Sequence, residues 1–209
     1  MFVRSCMSKK CTYVSPKDPL STVYETMREK GFEGLPVSSD GQVVGVVTLW
    51  DILLRLAQTD HTEEYLKNTS VGDVMTQQPV TIHENEIIEE AAWLMHKHDI
   101  NILPVLDKHN QVIGVITQSD FFRIFIEALG IERRGTRITI RTEDRVGELA
   151  RITRIIKDQG VSIISLVTFE PGRTHSDVVL RVETENAKPI VDALVSAGFH
   201  VTHVSQVWA

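Results

Sequence analysis

GVVTLWD at residues 45–51 and GVITQSD at residues 114–120 are two versions of one phrase: Gly, two apolar residues, Thr, two variable residues, Asp. A recurrence at fixed spacing marks a duplicated structural unit. Working outward, Met7 pairs with Met75, Val14 with Ile82, Met27 with Met95 and Pro36 with Pro104, each 68 residues apart. After Pro36 the offset becomes 69, pairing Gly45 with Gly114, Thr48 with Thr117 and Asp51 with Asp120. The extra residue falls in a polar turn, SSDG (38–41) against DKHN (107–110), where a loop accepts an insertion most easily.

Each copy reads as strand-helix-strand-strand-helix. An extended piece, CTYVS (11–15) or PVTIH (79–83), leads into a helix. Leu20, Val23, Tyr24 and Met27 lie at helical spacing in the first, and Ile87, Ile88, Ala91, Ala92 and Met95 in the second. Gly31 suits the left-handed end of the first helix. Strands LPVSS or LPVLD and QVVGVVT or QVIGVIT follow, then the amphipathic stretch DILLRLA or DFFRIFI. QTDHTEEYLKNTS (58–70) is polar and reads as a connector.

Thr-x-x-Asp at the start of an amphipathic helix has two readings. As a capping box, the Thr hydroxyl and the Asp carboxylate satisfy the free amides of the helix start. As a ligand site, the same helix start offers amides and partial positive charge to a phosphate, and the carboxylate can accept from ribose hydroxyls.

With the ordered carriers in place, residues 1–127 resemble a tandem pair of CBS domains, a Bateman module. The carriers are the Met-Ser/Thr openings at Met7 and Met75, Leu-Pro-Val at 35–37 and 103–105, and the Gly-Val-Val/Ile-Thr-x-x-Asp phrase, each present in both copies. The resemblance implies two pseudo-symmetric clefts for an adenine-containing ligand, with Asp on ribose and Thr near phosphate. It implies composite walls. Thr48 and Asp51 would face Val80, Thr81, Ile82 and the segment 101–104 with Ile102, Leu103 and Pro104. Thr117 and Asp120 would face Thr12, Tyr13, Val14 and the segment 33–36 with Leu35 and Pro36. AMP, ADP, ATP, NAD and S-adenosylmethionine are the candidate ligands. Some phosphate-binding members carry His or Arg ahead of Leu-Pro-Val; Glu33-Gly34 and Asn101-Ile102 stand there here, which disfavours polyphosphates.

The last third changes character. TRITIRT (136–142), VSIISLVTF (161–169), SDVVLRVET (176–184) and HVTHVSQVW (200–208) read as strands. The segments 147–159, with Leu149, Ile152, Ile155 and Ile156, and 187–197, with Ile190, Val191, Leu194 and Val195, read as helices ended by Gly160 and Gly198. EPGR (170–173) is a turn. The order βαββαβ is a ferredoxin-like sandwich. The fold class is thus α+β: two CBS repeats (1–57 and 71–129), a connector (58–70), a hinge (130–135, with GIERRGT spanning 130–136) and a C-terminal domain (136–209). EDRVGEL (143–149) resembles the Asp-x-Pro-Gly-x-Leu turn of ACT domains, with Val146 in place of proline. That resemblance implies an amino-acid site at Thr142, Asp144 and Gly147, with Ser162 supplied by a neighbouring chain. The alternative is that Asp144 only caps the helix and Gly147 only makes the turn. The CBS-CBS-ACT order is similar to the acetoin-utilisation AcuB-like regulators.

Charge and composition narrow the classes. Nine Lys/Arg balance nine Asp/Glu in residues 136–209, so residues 1–135 carry the whole net charge of −6. An acidic face does not suit nucleic acid, whose phosphates need a basic one. No apolar run reaches the roughly 20 residues of a membrane span. The N-terminus lacks the pattern of a secretion signal. Cys6 and Cys11 make no disulfide framework and fit a reducing cytoplasm. His96 and His98, two apart on a helix, point about 200° apart and cannot share a metal. His200 and His203, and the two cysteines, offer no better metal set, and no nucleophile-base pair or Gly-rich phosphate loop is present. Trp50, Trp93 and Trp208 read as core or interface anchors; Trp50 could instead wall the first cleft, where Ser119 holds the matching place in the second.

The expectation is a non-catalytic cytoplasmic sensor, a homodimer that needs no cofactor. It binds an adenine-containing small molecule and an amino acid and signals to an unidentified protein target. The rival is a constitutive dimeric scaffold in which Thr-x-x-Asp only caps helices.

Overall fold

The computed structural model describes residues 1–9, 11–169 and 175–207. The EPGR turn and Trp208 lie outside the described residues. The chain divides into two compact units, residues 1–121 and 122–209.

The first unit opens with a short helix α1 (Val3–Cys6), then α2 (Leu20–Lys30), strands β1 (Gly34–Ser39) and β2 (Gln42–Thr48), and α3 (Leu49–Leu56). The second repeat supplies β3 (Thr76–Gln77), β4 (Ile82–His83), α5 (Ile88–His98), β5 (Ile102–Leu106), β6 (Val112–Thr117) and α6 (Gln118–Ala128), which crosses the division between the units. Helix α2 ends at Gly31 in the left-handed region, φ 66°, and buries Leu20, Val23 and Met27. These join Val14, Leu35, Val37, Val47 and Ile52 in one apolar core, to which Val71 and Val74 beyond the connector also belong.

Several details depart from the sequence expectations. CTYVS is not a strand: only Val14 bridges, in parallel, to Val37. The connector is not irregular throughout, since Thr62–Asn68 forms α4, with Glu63 and Lys67 paired one turn apart. That helix buries nothing fully, so its sequence carries no apolar stripe to announce it. Ile87 precedes α5 as its N-cap and is exposed, and Ala92 is exposed too. Trp50 and Trp93 are not core residues; both stand half or more exposed.

The two repeats exchange their openings. β3, in the second repeat, pairs with β2 of the first through Gly45–Gln77 and Val46–Thr76. Reciprocally, Ser8 bridges Val115 of β6, its N–H donating to the Val115 carbonyl at 2.9 Å and its carbonyl accepting in return at 3.2 Å. The glycines of the repeated phrase permit this approach. A Cβ at Gly45 would lie 2.5 Å from Met75 Sδ and 2.9 Å from the Thr76 carbonyl; one at Gly114 would lie 2.8 Å from the Ser8 carbonyl. Two three-stranded sheets result, β1-β2-β3 and β4-β5-β6.

The second unit contains β7 (Gly135–Glu143), α7 (Glu148–Asp158), β8 (Ile163–Phe169), β9 (His175–Val182), α8 (Lys188–Ser196) and β10 (His200–Val207). Its antiparallel sheet runs β10-β7-β9-β8, the βαββαβ sandwich expected. The core packs Ile138, Ile140, Val178, Leu180 and Val182 against Ile152 and Ile156 of α7 and Ile190 and Leu194 of α8. Leu149 and Val195, assigned to those apolar helix faces from spacing, are exposed. Leu129, just before the segment read as a hinge, and Arg133 within that segment are fastened to this sheet. The Leu129 carbonyl accepts from Ser165 Oγ at 2.9 Å and Arg181 Nε at 3.2 Å, and Arg133 pairs with Glu183 at 3.0 Å.

Candidate functional site

Strand β2 ends at Thr48, where the chain turns directly into α3. Thr48 N–H donates to Asp51 Oδ2 at 2.8 Å, its hydroxyl donates to the same oxygen at 2.6 Å, and Asp51 N–H donates to Thr48 Oγ1 at 3.1 Å. This is a complete capping box. At the second copy, Thr117 N–H and hydroxyl donate to Asp120 Oδ2 at 2.8 and 2.9 Å. The capping geometry expected of Thr-x-x-Asp is therefore present at both helix starts. It engages one carboxylate oxygen and leaves the other outside the box.

The surroundings differ. Asp51 is half-buried and borders a cavity of about 190 Å³ with Leu54, Arg55, Gln58 and Val74. No hydrogen bond among the described residues uses Asp51 Oδ1. Asp120 is only 6% exposed, and its carboxylate is engaged.

The expected composite walls are only partly assembled around these carboxylates. A Cβ on Gly34 would touch Ile102 Cγ2 and Thr48 Cγ2, both at 3.4 Å, so Ile102 of the second repeat does approach Thr48 of the first. Val80, Thr81, Ile82, Leu103 and Pro104 do not line the cavity at Asp51. Val14, Leu35, Pro36, Ile82, Leu103 and Pro104 are buried, Ile82 pairing with Val105 and Leu103 with Ile116. Tyr13 is exposed, and Thr12 Oγ1 accepts from Lys30 Nζ at 2.9 Å. Arg55, on α3 one turn from Asp51, and Gln58, in the turn just past the helix, were not singled out from the sequence; the i, i+4 spacing of Asp51 and Arg55 is the signal that could have found the first.

In the second unit, Thr142 is buried near the end of β7, and its hydroxyl lies 3.3 Å from Glu148 Oε2. It lines a cavity of about 370 Å³ with Arg141, Glu143, Arg145, Glu148 and Arg151, closed by His175 and by Gly198, Phe199 and His200. Arg141 grips Asp177 through Nε and Nη2 at 2.8 and 3.0 Å. That hydrogen bond holds the Asp177 carboxyl below the usual carboxylate range and raises Arg141. The other residues expected at an amino-acid site stand apart from this cavity. Asp144 and Ser162 are exposed, and Asp144 does not cap α7, whose N-cap is Gly147 with no side-chain bond. Gly147 has φ +96°, and a Cβ there would meet nothing within 4 Å.

Among the described residues no three His, Cys, Asp or Glu side chains gather as a metal would require, and no helix is long and apolar enough to cross a membrane. Burial pushes the Cys11 thiol up to about 11, which leaves little thiolate at neutral pH.

The exchanged openings, paired three-stranded sheets and four-stranded sandwich define a pair of CBS domains followed by an ACT domain. Residues 3–58 and 71–127 match the CBS domain family, and the chain belongs to it. Residues 134–205 match the TTHA0829-like ACT domain. A CBS domain-containing protein of Dictyostelium discoideum is 32% identical over 138 residues, covering 62% of this chain and 94% of that protein. The homoserine O-acetyltransferase of Methanohalobium evestigatum is 42% identical over 102 residues, which cover 48% of this chain. The matched part spans only 19% of that enzyme's length and 20% of the inosine-5′-monophosphate dehydrogenase of Thermoplasma acidophilum. Two solved structures share the fold at a TM-score of 0.53. The CBS domain pair of protein MJ0100 in complex with 5′-methylthioadenosine and S-adenosyl-L-methionine is 27% identical, covering 60% of this chain and 95% of that one. CBSX2 in complex with AMP is 28% identical, covering 60% and 96%.

Proposed function

We propose that this chain is a non-catalytic regulatory sensor that binds an adenosine-containing ligand at the Thr48–Asp51 end of its CBS pair. The observation that carries the reading is the half-buried Asp51 carboxylate. Its Oδ2 completes the helix cap and its Oδ1 takes no hydrogen bond among the described residues, while Asp51 lines a cavity beside α3. A ribose diol suits that oxygen, and the helix end favours a nearby anion. Relatives solved with AMP, S-adenosyl-L-methionine and 5′-methylthioadenosine support the adenosine class. Glu33 ahead of Leu-Pro-Val weighs against ADP, ATP and NAD. The CBS-CBS-ACT order supports a place beside the AcuB-like regulators, with an amino acid as a second input at the ACT domain. Exposed Trp50, Leu53 and Leu54 on α3, and Phe122, Phe125 and Ile126 on α6, support assembly as a homodimer that signals to a partner protein. Cys6 and Cys11 are too few for a disulfide framework, which fits a cytoplasmic setting.

Each ligand then acts by favouring one arrangement of the dimer, with a coupling of about 1–3 kcal/mol. The scaffold reading has its own support, since both Thr-x-x-Asp boxes are occupied as caps. A thermal-shift panel separates the two: AMP, ADP, ATP, NAD, S-adenosylmethionine and the common amino acids, singly and in pairs. A ligand at about 100 times its Kd adds about 2.7 kcal/mol and shifts the melt visibly. A shift with AMP or S-adenosylmethionine is the expected result. A panel without any shift would favour the scaffold.

A further inference from the structure

The sheet of the second unit packs one face against α7 and α8 and turns polar side chains to the other. Strand alternation gives Ile138, Leu180 and Val182 to the packed face, so their neighbours Arg137 and Arg181 project from the opposite one. Register lines these up in a row across the sheet. Ser205 of β10 stands opposite Arg137 of β7, Arg137 opposite Arg181 of β9, and Arg181 opposite Ser165 of β8. The row reads Ser-Arg-Arg-Ser, two guanidiniums side by side between two hydroxyls. Like charges directly opposite on neighbouring strands are destabilising.

Arg181 is only 7% exposed, and its Nη1 is buried with no hydrogen-bond partner among the described residues. Its Nε donates to the Leu129 carbonyl at 3.2 Å, which also accepts from Ser165 Oγ at 2.9 Å. That carbonyl, at the end of α6, brings a partial negative charge and not a full one. Arg137 donates through Nη1 to Thr139 Oγ1 at 2.8 Å. The acids on the same face of β7 and β9, Glu143, Asp177 and Glu183, already pair with Arg145, Arg141 and Arg133. Burial, and then the Arg137 charge, pull the Arg181 guanidinium below its ordinary value, yet arginine stays ionised at neutral pH. A buried cation held beside a second cation calls for a counter-charge.

We propose that the Ser205–Arg137–Arg181–Ser165 row is an oxyanion site, and that its ligand is a phosphate group, as inorganic phosphate or a phosphate monoester. Charge selects phosphate: a dianion neutralises both guanidiniums, whereas a single carboxylate leaves one uncompensated. Geometry agrees, since each guanidinium offers a planar fork that matches a pair of phosphate oxygens, and the flanking hydroxyls can donate to the others. Arg137 is half-buried, so the row is reached from its side. The site is separate from the Thr48–Asp51 helix start and does not depend on the ligand proposed there.

The test is calorimetric titration of inorganic phosphate into the chain at pH 8, where phosphate is mostly a dianion, with chloride holding the ionic strength constant. One phosphate binds per chain at low millimolar concentration. Arg137→Gln weakens that binding tenfold or more, and so does Arg181→Gln; the half-buried Arg137→Gln decides alone if Arg181→Gln fails to fold. Arg154→Gln, exposed on α7 beyond the other face of the sheet, leaves binding unchanged. Phosphate that binds wild type and both row variants equally sits elsewhere, the CBS pair included, and overturns the proposal. Absence of binding to wild type overturns it as well. If, in that case, Arg137→Gln also turns a dimer into a monomer in sedimentation, the counter-charge is an acid of a second copy of the chain.

Discussion

The two Thr-x-x-Asp helix starts share one backbone geometry and differ in nearly everything around it. Both place the Thr amide and hydroxyl on a single Asp oxygen at 2.6–2.9 Å. Asp51 borders a cavity and is preceded by Trp50, 67% exposed; Asp120 is 6% exposed and preceded by Ser119. The motif therefore fixes how a strand becomes a helix, and the environment decides whether the carboxylate can meet a ligand. Duplication supplied two frames; only the first leaves its acid accessible.

The strongest way to break the comparison is to attack what the repeats share. Gly45→Ala and Gly114→Ala both force a Cβ against the exchanged opening, and each should cost about 1–3 kcal/mol in a urea melt. If one is neutral, the exchange is not equally tight on the two sides. Removing the caps sharpens the contrast. Loss of a helix cap costs about 0.5–2 kcal/mol. Asp120→Ala should fall at the upper end, because burial denies water to the amide and hydroxyl it leaves behind, and Asp51→Ala at the lower. Equal losses would mean that burial at the second copy has no energetic consequence.

A smaller effect comes from the ACT domain, where the Arg141–Asp177 pair serves as an exposed reference. The folded-state Asp177 carboxyl lies below its ordinary value of about 3.9 because Arg141 hydrogen-bonds it. Its contribution is complete above that ordinary value and is lost as pH falls through the depressed one. Asp177→Asn should therefore lower the melting temperature slightly at pH 7, and the gap from wild type should close on acidification towards pH 2. A gap that widens towards acid would contradict this sign.

Much of this was legible in the sequence, for reasons the residues make plain. The duplication, the helix end at Gly31 and the βαββαβ order are local or periodic signals. The exchanged openings were not legible as pairings, because Ser8–Val115 and Val46–Thr76 join residues with no local sign of partnership. Gly45 and Gly114 recorded only that something comes close. Helical spacing placed Leu149, Val195 and Ile87 near apolar faces but could not say how far the covering layer extends. The α4 helix escaped because a polar helix has no stripe. At the candidate sites, Thr48 and Asp51 were found by repetition. The Glu148–Arg151–Phe199 arrangement was not, since it brings residues 141–151 together with 198–200 across the sheet.

The most direct test is calorimetric titration of AMP and of S-adenosylmethionine into the wild-type chain, Asp51→Asn and Asp120→Asn. Asparagine keeps an acceptor for the cap and removes the charge. Binding should occur with wild type, be lost with Asp51→Asn and stay within about threefold of wild type with Asp120→Asn. Absence of binding to wild type, or loss with Asp120→Asn while Asp51→Asn binds normally, would contradict the assignment of the accessible first repeat as the sensing site.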